Sequence, residues 1–436
     1  MSLLRSTFML IWLFFIVFHP VFKLGHFKIN SSYYFIVIPS MVGFFYFYLK
    51  KEKNIIINNL LRVLILSSIF LIARQSTIFF QDITIINDLI LGFINFFACF
   101  YFVKVYIRLN KININKKLLD DIYFIGLIHS IIVVSTFLFP SFKSFLYEYI
   151  WITPKALKYL LGESSGYRFQ GIVQSGFSYL STTHALFFIL GVIKNKGYLN
   201  SSLFVIIKNI ISQSIILLSI ILIGRTGLII VFISFMVIVS YGLFNLIKRL
   251  TITKRAIKNS YIFVVLFIII INFIDLGNYE RQIKFAFEYY YQFSETGILG
   301  TGSTDHLLKN EYFLPNNILE ILFGTGAYAF GSHKYAVLSD VGWVRFISGS
   351  GILGIIIAYA IYFYSTYYAF KYFRIQSHLA SFIIIYSILL IPLNLKDYYY
   401  LNVGSLSVFF IILFTFSILV EKNQCYGPSI KKCTIS

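Results

Sequence analysis

The sequence predicts an all-α fold: a polytopic integral membrane helix bundle with about 12 transmembrane helices and one large loop on its outer side. Three observations lead to this fold class. Of the 436 residues, 58% are hydrophobic and only 12% are charged, and the mean hydropathy is +0.80. Apolar runs of about 17–22 residues recur along the chain. Basic residues cluster in alternate connections between these runs, as the positive-inside rule requires.

The apolar runs predict the spans in order. They lie near residues 4–22, 33–49, 56–73, 87–105, 122–140, 180–194, 203–223, 226–247, 260–276, 343–370, 379–393 and 400–420. Twelve spans place both termini on one side of the membrane. The first run carries no small-residue cleavage signal, so we interpret it as a retained span.

The distribution of Lys and Arg predicts the orientation of these spans. If the even-numbered spans end in the cytoplasm, the short inner segments hold 23 basic residues and the short outer loops hold five. A bias of this size in short loops is the signal that sets membrane topology. We therefore expect both termini in the cytoplasm and the two long loops on the outer side.

The two long outer loops cover about residues 141–179 and 277–342, and the remainder of the chain connects tightly into a single transmembrane domain, residues 1–436. Loops of this length in a compact bundle are usually functional. No internal repeat or separate soluble domain is evident in the sequence.

The second loop predicts two helices. Glu280, Lys284 and Glu288 share one helical face, which is typical of an amphipathic helix at the membrane boundary. This helix either packs on the bundle as a lid or contacts a substrate. A second, short helix is expected at 317–323.

Several function classes are excluded by the same sequence. The net charge of +20 follows from membrane topology, and no motif of a nucleic-acid reader accompanies it. Gly324-Thr325-Gly326 lacks the Lys and the spacing of a phosphate-binding P-loop. The sequence shows no Asp-rich metal motif, and its three cysteines indicate neither a disulfide framework nor a metal site. We therefore expect no cofactor, no metal and no nucleic-acid partner.

Arg225 is the strongest functional candidate. It lies between two long apolar runs in Gly224-Arg225-Thr226-Gly227, where its glycine neighbours leave space beside the backbone. A guanidinium near hydrocarbon costs roughly 2.5–3.5 kcal/mol on insertion scales, so it needs an anionic partner, water or carbonyl groups. Arginine also presents a planar fork of donors that matches phosphate oxygens.

Other arginines lie near the outer face, and each has a structural alternative. Arg74 closes a span and can extend to the lipid headgroups. Arg281 can pair with Glu280 or Glu288 on its own predicted helix. The sequence leaves Arg168 and Arg345 open between structural and phosphate-binding roles. If several of these arginines converge on one cavity, they can hold a pyrophosphate.

Candidates for proton transfer are fewer. Asp340 precedes a span by a few residues, where it is either a structural ion pair or helix cap with Arg345, or a group that positions or deprotonates a sugar hydroxyl. His333 is the alternative, since its unperturbed pKa lies near physiological pH. His19, His129 and His184 lie in apolar spans, and we interpret them as packing histidines with satisfied hydrogen bonds.

At these positions the chain resembles the Wzy-type O-antigen and capsule polymerases, which are related to the O-antigen ligases. The resemblance covers roughly residues 160–355, and the first 140 residues match only in hydrophobicity. It rests on many spans with one dominant outer loop and on four segments in order. These are Tyr167-Arg168-Phe169-Gln170-Gly171, Gly224-Arg225-Thr226-Gly227, the run from Asn317 to Gly326, and the run from Ser339 to Arg345.

The resemblance implies an inverting, metal-independent glycosyltransferase in the bacterial inner membrane, with one large periplasmic loop. One undecaprenyl-pyrophosphate-linked oligosaccharide would donate its glycan to another repeat unit, and undecaprenyl pyrophosphate would leave. Arg168 and Arg225 match arginines that this family places near the substrate, so they are the first choices for binding the pyrophosphate. Arg345 and Arg281 are the next candidates. Asp340 is the first choice for the catalytic base, with His333 next. Membrane lipid and a chain-length regulator protein are the further partners implied.

Two alternatives stay open. An O-antigen ligase would transfer the glycan to lipid A core instead of to another repeat unit. A flippase for lipid-linked oligosaccharides would also be basic and have twelve spans. It is expected to show two related halves and charges along a central cavity, whereas the intramembrane charges here gather at one face.

Overall fold

The computed structural model describes residues 2–110, 113–154, 156–157, 168–174, 176–194, 203–234, 288–297, 305–330, 336–401 and 403–425. These residues form helices almost throughout, with two small two-stranded sheets. Within the described ranges, six helices are long and apolar enough to cross a membrane. The prediction of a helical membrane protein is therefore confirmed at this coarse level.

The helices and strands follow one another in a simple order. The first half contains α1 (Ser2–Phe18), β1 (Val21–Leu24), β2 (Phe27–Asn30), α2 (Ile38–Leu49), α3 (Ile55–Gln75), α4 (Thr84–Leu109), α5 (Ile114–Leu138), α6 (Pro140–Tyr149), α7 (Phe177–Lys194) and α8 (Leu203–Ile223). The second half contains α9 (Arg225–Ser234), α10 (Glu288–Thr296), α11 (Ile318–Phe323), β3 (Ala329–Phe330), β4 (Ala336–Val337), α12 (Gly342–Ala358), α13 (Ala360–Lys371), α14 (Ser377–Leu393) and α15 (Val403–Cys425). A π-helical turn, Tyr33–Val37, leads into α2, and another covers Leu307–Glu311.

The observed helices can be compared with the predicted spans. The six long apolar helices are Ile55–Ile78, Thr84–Leu109, Ile114–Leu138, Phe177–Lys194, Gly342–Lys371 and Gly404–Asn423. Five shorter apolar helices lie at other predicted spans, and the predicted span at 260–276 lies outside the described residues. The total of twelve spans, and the single domain over residues 1–436, stay predictions.

Two predicted spans differ in detail from the structure. The first was expected to run to residue 22, but α1 ends at Phe18 and the antiparallel hairpin of β1 and β2 follows. The tenth was expected to be one continuous helix over 343–370. It is interrupted at Gly351, which has a φ of +68°, and again between α12 and α13. Glycine is the residue that adopts this left-handed conformation without strain.

In the second long loop, the short helix expected at 317–323 is confirmed as α11, and the Asn317 side chain accepts the N–H of Leu319 at its start. The predicted amphipathic helix lies largely outside the described residues. The described helix α10 begins at Glu288, the last member of that predicted face.

The chain divides into two compact units, each built from two separate stretches. Unit 1 contains Met1–Ser31 and Lys116–Gly300, and unit 2 contains Ser32–Asn115 and Thr301–Ser436. In unit 1, the hairpin is tied to the segment after α6, because the N–H of Trp151 donates to the carbonyl of Val21 at 2.7 Å. Lys28 lies over the Trp151 ring at 4.3 Å.

Unit 2 packs its helices through aromatic side chains and polar ties. Phe96 on α4 meets Phe414 on α15 with ring centroids 4.8 Å apart. Asn54 accepts the N–H of Ile57 at the start of α3 and donates to the carbonyl of Ser417 on α15. Such satisfied polar contacts fix how apolar helices pack against one another.

Candidate functional site

The central feature of unit 1 is an interruption between α8 and α9 at Gly224, which we call the Gly224 break. Ser181 on α7 satisfies the backbone groups that the break exposes. Its hydroxyl donates to the carbonyl of Gly224 at 2.5 Å and accepts the N–H of Gly227 at 2.9 Å. A Cβ on Gly227 would lie only 2.4 Å from the Ser181 oxygen. Gly227 therefore lets the break pack directly on α7.

Arg225 extends from this break and forms an ion pair with Glu288 on α10. The Arg225 side chain is 11% exposed and the Glu288 side chain is 34% exposed. Of the three environments expected for Arg225, an anionic partner, water or carbonyl groups, the structure shows an anionic partner. Glu288 was one of the two glutamates predicted to pair with Arg281 on its own helix, and Arg281 lies outside the described residues.

Arg168 lies close to the same break. The N–H of Phe169 donates to the carbonyl of Leu222, the penultimate residue of α8, at 3.0 Å. Phe169 is buried, and its ring meets the ring of Phe137 at 5.3 Å. The Arg168 guanidinium lies 5.6 Å from the centre of the Phe177 ring. Two of the four predicted phosphate-binding arginines therefore flank one helix end in unit 1.

The buried histidines of unit 1 only partly match the prediction. His184 is satisfied: its Nε2 contacts Nδ1 of His129 at 2.8 Å, and its Nδ1 contacts the Ser219 hydroxyl at 2.7 Å. The second nitrogen of His129 is buried without a partner among the described residues, whereas the buried His19 side chain interacts with the backbone of Phe15. The prediction of satisfied hydrogen bonds is therefore not met on one side of His129. Periodicity locates a buried histidine but not the partners of its nitrogens.

Unit 2 contains a second polar cluster around the segment Gly324–Tyr328, which we call the Gly324 clamp. At the end of α3, Arg74 donates to the carbonyl of Gly324 and Gln75 donates to the carbonyl of Gly326, both at 2.5 Å. Arg74 thus binds a backbone carbonyl of its own unit, which replaces the predicted extension to lipid headgroups. On the opposite side of the segment, the N–H of Thr325 donates to the carbonyl of Ser348 at 2.6 Å.

Arg345 belongs to the same clamp. Its Nε donates to the carbonyl of Tyr328 at 2.7 Å, and its guanidinium lies 4.4 Å from the centre of the Tyr398 ring. Burial and then the carboxylate of Asp88 raise the pKa of Tyr398 well above its usual value, while Arg345 opposes that shift. Arg345 therefore has backbone and aromatic contacts that hold it in place within unit 2.

Two carboxylates of unit 2 were missed by the sequence reasoning. The buried Asp82 accepts the N–H groups of Tyr328 and Ala329 at 2.5 and 2.6 Å, and its other oxygen accepts the N–H of Thr84 at the start of α4. Asp88 interacts with the Tyr398 hydroxyl and with the charge of Arg345. The sequence carried a signal for both residues. Asp82 lies just before an apolar run and Asp88 lies inside it, and a carboxylate in such a run is costly in a membrane.

Asp340 does not join Arg345. The Asp340 side chain is exposed, and its backbone N–H donates to the carboxylate of Glu311 at 2.5 Å. The buried Glu311 carboxylate also lies 3.5 Å from His306. Within the described ranges, Asp340 and Arg345 form no ion pair, so the structural ion pair considered for them is absent. His333 lies outside the described residues.

No protein-family model matches this chain, and a comparison with curated proteins finds no match. The described parts of the chain also contain no group of three or more His, Cys, Asp or Glu side chains that could hold a metal ion. Among the described residues, the Gly224 break with Arg225, Glu288 and Arg168 is the arrangement best suited to bind an anion.

Proposed function

We propose that this protein is a multi-pass glycosyltransferase of the bacterial inner membrane, a Wzy-type polymerase. It would join undecaprenyl-pyrophosphate-linked oligosaccharide repeat units into O antigen or capsule at the periplasmic face. The transfer would invert the anomeric centre and release undecaprenyl pyrophosphate. In this proposal the chain has twelve spans, both termini are cytoplasmic, and the long outer loops are periplasmic.

One observation carries the proposal: Arg225 is a largely buried guanidinium at a helix break, paired with the carboxylate of Glu288 and flanked by Arg168. A phosphate can replace that carboxylate because guanidinium binds both groups through the same pair of N–H donors. Arg225 also begins α9, and the N-terminal end of a helix favours negative charge. The arrangement therefore supports pyrophosphate recognition in unit 1.

The same groups support the chemical step. As the bond between the sugar and the pyrophosphate breaks, negative charge develops on the leaving group, and fixed guanidinium groups stabilise that charge. Loss of one such donor typically lowers the rate on the order of 100–1000-fold. A donor that is already activated by pyrophosphate needs no nucleotide, which agrees with the sequence lacking a P-loop. In this proposal the enzyme uses neither a metal nor an organic cofactor, as the resemblance to the Wzy-type polymerases implies.

The base that receives the proton of the acceptor hydroxyl stays a prediction from the sequence. Asp340 is the first candidate and His333 is the second. The exposed carboxylate of Asp340 suits a group that meets a bulky acceptor glycan. Arg345 and Arg281 stay further predicted contacts of the pyrophosphate, although the contacts of Arg345 within the Gly324 clamp favour a structural role.

The test is the chain length of surface glycan in cells that lack this gene, separated by gel electrophoresis. The cells are complemented with wild type, Arg225→Ala, Arg168→Ala or Asp340→Ala at matched protein levels. Arg62→Ala is the matched control, because Arg62 is exposed and contacts Asn59 on its own helix in unit 2. If the protein is a polymerase, the deletion strain carries core with a single repeat unit, and wild type and Arg62→Ala restore the ladder of longer glycan chains.

Other outcomes identify the alternatives. If the deletion strain lacks even the single-repeat band, either ligation to lipid A core or flipping of the lipid-linked glycan has been lost, and the polymerase proposal is wrong. A ligase would then accumulate polymer on undecaprenyl pyrophosphate, whereas a flippase would accumulate single repeats on the cytoplasmic side.

A further inference from the structure

Helix α11 belongs to the second long loop, which the sequence places in water, yet it exposes an apolar surface. Ile318 and Leu319 are 67% and 60% exposed, and Leu322 and Phe323, four residues further along, are exposed as well. Residues four positions apart lie on the same side of a helix, so these side chains form one patch. The single charged side chain of α11, Glu320, is half-buried. Exposed apolar patches mark a contact with a protein partner or with a membrane.

The other side of α11 packs on α12 within unit 2. A Cβ on Gly351 would collide with the backbone of Leu322 and Phe323, so the two helices approach each other directly there. α12 begins the apolar helix Gly342–Lys371, which is long enough to cross a membrane. Gly351 lies nine residues after the first residue of that helix, about 13 Å along it at 1.5 Å per residue. α11 therefore packs against the side of a membrane helix and not on its end.

The exposed apolar surface continues from α11 onto α12. Ile352 and Leu353 directly follow Gly351, and both side chains are exposed. On a helix that crosses a membrane, exposed apolar side chains meet lipid acyl chains. Since Leu322 and Phe323 lie against Gly351, the exposed residues of α11 adjoin exposed apolar residues of a membrane-crossing helix.

The backbone that follows α11 is bonded by the protein itself. Neighbouring side chains donate to the carbonyls of Gly324 and Gly326, and the Thr77 hydroxyl donates to the carbonyl of Thr325 at 3.1 Å. The N–H of Gly326 donates to the carbonyl of Gly349 at 2.8 Å. Water can satisfy the backbone of an exposed loop, but irregular backbone at membrane depth must find its partners in the protein or in a water-filled cavity. The Gly324 clamp meets this requirement.

The composition of the patch favours lipid over a protein partner. Surfaces that bind proteins tightly are enriched in Trp, Tyr and Arg and poor in Leu. The exposed patch of α11 contains three aliphatic side chains and one phenylalanine. Glu320 lies in the first turn of α11, where a helix favours negative charge, and its presence suits a shallow position near the headgroups.

We propose that α11 and the Gly324 clamp form a re-entrant segment of the membrane domain. In this arrangement α11 lies within the loop side of the bilayer, and Ile318, Leu319, Leu322 and Phe323 contact lipid acyl chains. The clamp holds the segment against α3 and α12 and satisfies its backbone. This part of the second long loop is therefore embedded in the membrane, and the inference is independent of the proposed enzymatic function.

The test measures the surroundings of α11 with nitroxide spin labels. Ile318→Cys and Leu319→Cys are each made in a full-length chain whose three native cysteines are replaced by alanine, and the labelled proteins are placed in nanodiscs. Power saturation then reports collisions of each label with oxygen, which concentrates in hydrocarbon, and with a nickel chelate, which stays in water. Ile352→Cys is the lipid-facing control, and Lys309→Cys, an exposed position in the same loop, is the water-facing control.

We expect the ratio of oxygen to nickel collisions at both α11 positions to match that of Ile352→Cys. It should exceed the ratio of Lys309→Cys by at least about tenfold, because a polar chelate is excluded from hydrocarbon.

Two other results would overturn the inference. A ratio like that of Lys309→Cys shows that α11 lies in water. If neither reagent reaches the two labels, a second copy or another protein covers α11, and lipid does not. Because the assay contains no substrate, these outcomes leave the polymerase proposal to its own test.

Discussion

The Gly224 break in unit 1 and the Gly324 clamp in unit 2 use the same residue types in opposite ways. Each packs closely spaced glycines against a neighbouring helix and has arginine beside them. In the clamp, Arg74 and Arg345 donate to backbone carbonyls, which cannot leave unless the segment unfolds. In the break, Arg225 pairs with the side chain of Glu288, which a phosphate can displace. In the proposed function, the identity of the partner therefore separates the structural arginines of the clamp from the phosphate-binding arginine of the break.

The largest expected effect is on the activity of Arg225→Ala. Removing the guanidinium should lower the rate of glycan chain growth on the order of 100–1000-fold, because it removes charge stabilisation of the leaving pyrophosphate. The melting temperature should change little, since Glu288 is about one-third exposed and water can solvate it. Initial rates in membranes at matched protein levels test this. If the Arg225→Ala enzyme is active, the Gly224 break does not take part in the mechanism.

Substitutions in the Gly324 clamp should change the stability of the protein instead of its activity. In Gly324→Ala the new Cβ would lie 2.4 Å from Ser350 N and from the carbonyl carbon of Gly349, at a φ of +73°. A backbone clash combined with left-handed strain should lower the free energy of unfolding by at least about 2 kcal/mol. Gly25→Ala is the control, because Gly25 has a φ of +61° and nothing within 4 Å of its Cβ position. Thermal unfolding of both variants isolates the clash, and equal losses would show that the clamp is not tightly packed.

Arg345→Lys tests whether Arg345 has a structural role in the clamp. Lysine keeps the charge but loses the Nε donor to Tyr328 and the planar contact with the Tyr398 ring. We expect the free energy of unfolding to fall by about 1–3 kcal/mol, with activity per folded molecule retained. The measurement is activity normalised to folded protein by gel filtration. Loss of activity at unchanged stability would return Arg345 to the phosphate-binding set that the sequence predicted.

The smallest effect is expected for Glu288→Gln. Neutralising this carboxylate removes the group with which a phosphate competes for Arg225. An ion pair of this exposure is worth about 1 kcal/mol at most, so the affinity for undecaprenyl pyrophosphate should rise by up to about fivefold. Titration of the lipid into purified protein measures this change. A weaker affinity would indicate that Glu288 positions Arg225 instead of competing for it.

Much of the fold could be predicted from composition and hydrophobic runs, because the local sequence of each apolar helix is enough to locate it. Arg225 was identified in the same local way, since a charge between two apolar runs requires a partner. The contacts that distinguish the two regions are not local. Arg74 and Gly324 are 250 residues apart, and His129 and His184 are 55 apart. Which carbonyl or nitrogen such residues meet depends on how the helices pack, so the contacts of the clamp, of Asp82 and of the histidine pair could not be predicted.

The most direct test of the difference between the two regions is the affinity for undecaprenyl pyrophosphate, measured together with the melting temperature, for Arg225→Ala and Arg345→Ala. Arg225→Ala is predicted to bind at least about tenfold more weakly and to melt as wild type does. Arg345→Ala is predicted to melt at a lower temperature and to bind with wild-type affinity while folded. Wild-type affinity in Arg225→Ala, or lost affinity without lost stability in Arg345→Ala, would contradict the account.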